Sequence, residues 1–82
     1  MFRGDNRDYQ AVQALLRQVR VDAGLRQQEL ADRLGLPQSV ISKVETGERR
    51  LDLVETELFC KAVGISLVDF ASRLAKLGSA VE

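Results

Sequence analysis

"GLPQSVISKVETGERR", residues 35–50, sets a turn glycine and a proline ahead of one short amphipathic segment and closes on a second glycine and two arginines. On a helical wheel with Ile41 at zero, Val44 falls at roughly 300° and Glu45 at roughly 40°, so the three share one side. Ser39, Ser42, Lys43 and Thr46 fall at roughly 160°, 100°, 200° and 140°, on the opposite side, with Gln38 and Val40 on the two flanks. That outward face lacks the mixture of glutamate and lysine usual for a solvated helix. It offers short hydroxyls, one amide and one cation, a set that suits the edges of base pairs. An amide such as Gln38 can bond adenine through two atoms, serine hydroxyls donate or accept, Lys43 favours guanine O6 and N7, and Val40 can touch a thymine methyl. Read alone, the segment is equally consistent with a solvated, serine-rich helix, so its surroundings must decide.

Immediately upstream, "RQQELADRLG" puts Leu30, Ala31 and Leu34 on one helical face and stops at Gly35. Two short helices therefore meet across a tight turn, the arrangement of a helix-turn-helix, with the small Ala31 where they must cross closely. Further upstream, Asp8 is a good N-cap for a helix carrying Val12, Leu15, Leu16 and Val19, which Gly24 ends. Pro37 suits the first turn of the short helix, which ends near Gly47. Downstream, Asp52 and Glu55 have the spacing of a capping box, opening a helix through Leu58, Phe59, Ala62 and Val63 to Gly64. Ser66 and Asp69 open a fifth helix through Phe70 and Leu74. No run alternates apolar and polar residues like a half-buried strand. The expectation is an all-α, compact five-helix domain over 8–77, its helix-turn-helix at 27–46, between a loose arm (1–7) and a tail (78–82).

The chain has 82 residues, 45% hydrophobic and 29% charged, a balance that argues for one small globular domain. With no histidine and a single cysteine, Cys60, neither an internal disulfide nor a His/Cys metal site nor a histidine-based triad can be assembled within the chain. No cofactor, metal or enzymatic activity is expected. No apolar run approaches a membrane span and no signal-peptide core is present, so no membrane association and a cytoplasmic location are expected. Residues 1–50 carry nine basic and seven acidic side chains and 51–82 carry three and five, which leaves +2 and −2 and a net charge of zero. Charge alone does not identify a nucleic-acid binder.

"LRQVRVDAGLRQQELADRLGLPQSVISKVETGERR" resembles the lambda-repressor-like, Cro-type (XRE) helix-turn-helix family of small bacterial and phage DNA-binding regulators. The resemblance rests on the arginine before "AGL", Gln27, "ELA", Gly35, "QSVIS", Glu45 and Gly47, and extends through "RRLDLVE" and "AVGIS" to cover roughly residues 12–74. It implies a five-helix fold that binds double-stranded operator DNA, usually as a homodimer, with residues 38–46 as recognition helix. Gln38, Ser39, Ser42 and Lys43 fall at its base-facing positions, with Val40 beside them. Gln27 corresponds to a glutamine that contacts phosphate and braces the recognition helix. Arg49 and Arg50 fall where phosphate contacts are frequent, and Arg17 is a weaker candidate. One departure stands out: the residue before Gln27 is usually a capping threonine, serine or asparagine, and here it is Arg26. A lost cap costs about 1 kcal/mol, and Arg26 is either repaid by a DNA phosphate or simply tolerated at the surface.

Glu45 lies on the buried flank of its helix, where an unpaired carboxylate is costly. Arg20 falls at roughly 40° from Leu16 on the first helix and flanks that apolar stripe. The resemblance pairs the two in an ion pair, and both routes give Arg20 and Glu45 a structural role. In the last segment Leu67, Phe70, Leu74, Leu77 and Val81 are spaced three, four, three and four, the rhythm of a two-helix seam and the expected dimer interface. The functional expectation is a transcriptional repressor on a palindromic operator. So short a chain is expected to leave no room for a sensor domain, so control would come from concentration, proteolysis or a partner. The alternative is an antitoxin or adaptor whose main partner is a toxin or other regulatory protein, with DNA binding secondary.

Overall fold

A computed structural model describes residues 6–79, and within them the side chains of 9–77. The described residues form five helices and no strand: α1 (Asn6–Asp22), α2 (Gln27–Leu34), α3 (Gln38–Glu45), α4 (Leu53–Val63) and α5 (Leu67–Ser79). The ends are set by short-range chemistry. At the start of α4, Asp52 Oδ1 accepts from the Glu55 backbone N–H at 2.7 Å while Glu55 Oε1 accepts from the Asp52 N–H at 3.0 Å. This is the reciprocal box that the Asp52/Glu55 spacing predicts. Ser66 Oγ accepts the Asp69 N–H at 2.9 Å and opens α5. Gly35 ends α2 at φ 68°, and the Leu36 N–H reaches back to the Ala31 carbonyl at 2.9 Å. A side chain at Gly35 would strain that left-handed turn.

Three boundaries differ from the sequence expectation. α1 begins at Asn6 rather than at Asp8; a carboxylate suits the first helical turn as well as the cap itself, because it complements the helix dipole. The expected arm therefore gives up residues 6 and 7, and 1–5 lie outside the described residues. Pro37 is the N-cap of α3 (φ −64°, ψ 146°), one position before the first turn. α5 continues to Ser79, past the expected end at 77.

The core is a single cluster to which every helix contributes: Leu15, Leu16 and Val19 from α1, Leu30 and Ala31 from α2, Ile41 and Val44 from α3, Phe59, Cys60 and Val63 from α4, Phe70 from α5, and Leu25 from the α1–α2 turn. The contact between α2 and α3 is the most extensive of the helix pairs, and the fully buried Ala31 lies in α2. Cys60 is part of this packing, and burial raises its thiol pKa, which keeps it in the unreactive protonated form. The consequence for function is that α3 is fixed on one side by Ile41, Val44 and Glu45 and free on the other.

Candidate nucleic-acid interface

The inner side of α3 is tied down by a hydrogen-bonded chain of four side chains from three helices. Arg20 and Glu45 are both only 8% exposed. Arg20 Nε donates to Glu45 Oε2 at 2.6 Å and Nη2 to Glu45 Oε1 at 2.9 Å, a fork-on-fork pair. Arg20 Nη1 also donates to the Leu25 carbonyl at 2.7 Å, so the guanidinium is anchored on both sides. The Glu45 hydrogen bond is the main cause that raises the Arg20 pKa, ahead of the opposing effect of burial. Glu45 Oε1 further accepts from Gln27 Nε2 at 3.1 Å, and Gln27 Oε1 accepts from Gln38 Nε2 at 2.6 Å.

The polarity of this chain follows from its buried end. An ionised carboxylate only accepts, so Gln27 must turn its N–H group toward Glu45 and its oxygen away. Gln38 must then turn an N–H toward that oxygen. What remains on Gln38 is its own oxygen and its second N–H, one acceptor beside one donor. That is the pattern a side-chain amide uses on adenine N6 and N7.

The outward side of α3 matches the wheel. Ser39, Lys43 and Thr46 are exposed, and Gln38 and Ser42 are half-buried. Thr46 Oγ1 donates to the Lys43 carbonyl at 3.3 Å. Neither serine hydroxyl nor the Lys43 ammonium has a partner among the described residues, so these groups are free to meet a ligand. Val40 is different. It is half-buried against the core and lines an apolar hollow of about 220 Å³ with Leu34, Leu36, Leu51, Leu58 and Phe59. Much of its surface is spent within the protein.

The expected phosphate-contacting residues divide in the same way. Arg26 starts α2 without a side-chain cap, since a guanidinium cannot accept. Glu29 supplies the other half of the box. Its Oε1 accepts from the Arg26 backbone N–H at 2.9 Å and from Arg26 Nε at 3.3 Å. These bonds, the backbone one first, lower the Glu29 pKa. Glu29 three residues after Arg26 was the available signal. Arg49 Nη2 is held by Glu55 Oε2 at 2.6 Å, a pairing over six residues that no local pattern announces. Arg50 instead lies over the Tyr9 ring, 4.3 Å from its centroid. Arg17 is exposed on α1.

The expected dimer seam divides between the monomer core and the surface. Phe70 is only 3% exposed and belongs to the chain's own core, and Leu74 packs against the same core. Leu67 is half-buried, Leu77 is 46% exposed, and Val81 lies outside the described residues. The three–four rhythm of α5 is mostly the stripe that closes the monomer. Exposed large apolar side chains lie on α4, where Leu53, Val54 and Leu58 face solvent, as well as on α5 at Val68 and Leu77.

Comparison with known proteins agrees with this geometry. A family model described as a helix-turn-helix domain matches residues 13–72. The chain is similar to an XRE-family like protein from Pseudomonas syringae pv. tomato, at 46% identity over 88% of each chain with a TM-score of 0.81. It is also similar to the restriction-modification controller protein C.Esp1396I, at 28% identity over 88% of this chain and 94% of that one with a TM-score of 0.79. The same controller, solved as a tetramer in complex with its natural 35-base-pair operator, matches at 28% identity over 88% and 95% of the chains, again with a TM-score of 0.79. No curated protein matches.

Proposed function

Because the chain belongs to the XRE-type helix-turn-helix family, we propose that it is a sequence-specific, double-stranded-DNA-binding transcription regulator, and more finely a repressor that binds a palindromic operator as a homodimer without a cofactor. The observation that carries this reading is the Arg20–Glu45–Gln27–Gln38 chain, which fixes the donor and acceptor of Gln38 at the edge of a face free of carboxylates. Gln38, Ser39, Ser42 and Lys43 are the proposed base contacts, with Val40 at the margin. Gln27, Arg26, Arg17, Arg49 and Arg50 are the proposed phosphate contacts. Arg50 leads that group, because Arg49 must first release Glu55.

One eight-residue helix reaches few base pairs, so selective binding calls for two copies on half-sites about 34–36 Å apart. The C.Esp1396I relative occupies its operator as a tetramer. On this chain the exposed α4 side chains Val54 and Leu58 are the surface proposed for a second copy. The same surface supports the alternative of an antitoxin-like protein partner.

Selection of duplexes from a random pool by the full chain tests the function. A palindromic consensus is the expected result, and Gln38→Ala should lose preference at one base pair per half-site, at a cost of about 1–3 kcal/mol. No enrichment from the pool would sink the reading.

A further inference from the structure

The opening turns of α1 and the loop after α3 enclose a polar hollow of about 180 Å³, lined by Tyr9, Gln10, Gln13, Thr46, Gly47 and Arg50. Its donors lack acceptors. The Tyr9 hydroxyl oxygen is buried and has no hydrogen-bond partner among the described residues, although buried polar atoms are ordinarily satisfied. Arg50 rests on the Tyr9 ring and makes no ion pair among the described residues, whereas Arg49 next to it is held by Glu55. The Gln13 side-chain oxygen closes on Gly47, where φ is 85° and an added Cβ would collide with it. The Gln13 side-chain N–H group has no hydrogen-bond acceptor among the described residues. Among the described residues, no carboxylate lines the hollow. Thr46 belongs both to this lining and to the outward face of α3, so the hollow adjoins the surface that carries Ser39, Ser42 and Lys43.

A phenol O–H, an amide N–H group and a guanidinium around one hollow are complementary to a group that only accepts hydrogen bonds and carries negative charge. We propose that this hollow is a phosphate seat, which takes one backbone phosphate of the DNA beside the groove that α3 enters. The proposal rests on the DNA-binding reading and adds Tyr9 and Gln13 of α1 to the contact surface. Stacking on Tyr9 holds the Arg50 guanidinium in place before binding, which lowers the ordering cost of a flexible side chain. The phosphate supplies the acceptor that the described residues do not offer the Tyr9 hydroxyl.

Two signatures separate this role from a structural one. Tyr9→Phe removes an orphan hydroxyl, so the free protein should melt at the same temperature or higher. The same variant should bind the selected duplex and a scrambled duplex more weakly by a common factor of about three- to tenfold, the span of one net hydrogen bond. Its salt dependence should not change, because no charge is lost. Arg50→Ala should flatten the slope of log K against log salt by about one unit, and Tyr9→Phe should cost little more in that background.

Fluorescence-anisotropy titrations of full-length wild type, Tyr9→Phe, Gln13→Leu, Arg50→Ala and Tyr9→Phe/Arg50→Ala on both duplexes, with thermal melts, read all of this. Wild type that binds neither duplex overturns the DNA reading and the seat together. Wild type that binds, with Tyr9→Phe and Gln13→Leu indistinguishable from it, overturns the seat alone. Inorganic phosphate that shifts the Tyr9 and Gly47 NMR signals, while those two variants still bind duplex like wild type, marks a free-anion site and overturns the DNA assignment of the seat.

Discussion

Glu45 carries more of this protein's organisation than any residue on the exposed face of α3. It accepts from Arg20 twice and from Gln27 once, and through Gln27 it settles which way Gln38 points. Removing one partner of a buried ion pair leaves the other charge uncompensated, at a cost of about 3–5 kcal/mol. That is a large share of the roughly 5–15 kcal/mol that keeps a domain folded. Glu45→Ala should therefore melt far below wild type, while Glu48→Ala, at an exposed loop position, should stay within about 0.5 kcal/mol of it. Equal melting of the two variants would refute the buried role. Gln27→Leu makes the complementary test. It keeps Arg20–Glu45 but releases Gln38, so stability should fall less than in Glu45→Ala while discrimination at the Gln38 base pair weakens. Unchanged discrimination would mean that the amide chain does not position Gln38.

At the scale of the helix, the N-termini of α2 and α4 are opposite solutions to one problem. α4 has the full box from Asp52 and Glu55, and α2 has only the Glu29 half. Arg26→Ser should restore the missing acceptor and stabilise the free protein by about 1 kcal/mol. If Arg26 also meets a phosphate, the same variant should bind all duplexes more weakly. A higher melting temperature with unchanged DNA affinity would leave Arg26 without a binding role. The box on α4 makes a prediction in pH. The Glu55 carboxyl is held below its ordinary value of 4.5, first by the Asp52 backbone N–H and then by Arg49. A depressed folded-state pKa contributes stability that is fully present above the unfolded value and is lost as pH falls through the lower folded one. Glu55→Gln can still accept the backbone bond, so it isolates the charge. Its melting temperature should lie below wild type at neutral pH, and the gap should close as pH drops below 4.5. A gap that does not depend on pH would exclude the charge as its source.

For the whole molecule, the proposed homodimer makes its prediction on α4. Val54 is 66% and Leu58 51% exposed, one turn apart on the same helix, and in the proposed homodimer an antiparallel two-fold would set Val54 of one copy against Leu58 of the other. Neither side chain is needed to close the core. Val54→Glu with Leu58→Glu should thus give a folded monomer by light scattering that has lost cooperative binding to the palindrome but still binds a single half-site. A double variant that remains dimeric with full operator affinity would move the interface off α4. Leu74→Glu is unsuited to this question because Leu74 packs on the monomer core.

Legibility in the sequence followed the range of each interaction. Helix number, the glycine stops, the Asp52–Glu55 box and the two faces of α3 are functions of spacing within about one or two turns, and spacing is what a sequence displays directly. The flanking positions of Arg20 and Glu45 beside their apolar stripes were also readable, and the family resemblance paired them. The orientation of Gln38 was not. It depends on Gln27 of α2 bridging Glu45 and Gln38 of α3, and no local period records which amide atom faces a carboxylate on another helix. Arg49 with Glu55, and Arg50 over Tyr9, likewise join segments whose separation along the chain says nothing of their distance in space. The seam on α5 shows the converse: an i, i+3, i+4 stripe has the same pattern whether it closes its own core or meets a partner. Only the tertiary packing decided that Phe70 and Leu74 of this stripe are spent on the monomer core.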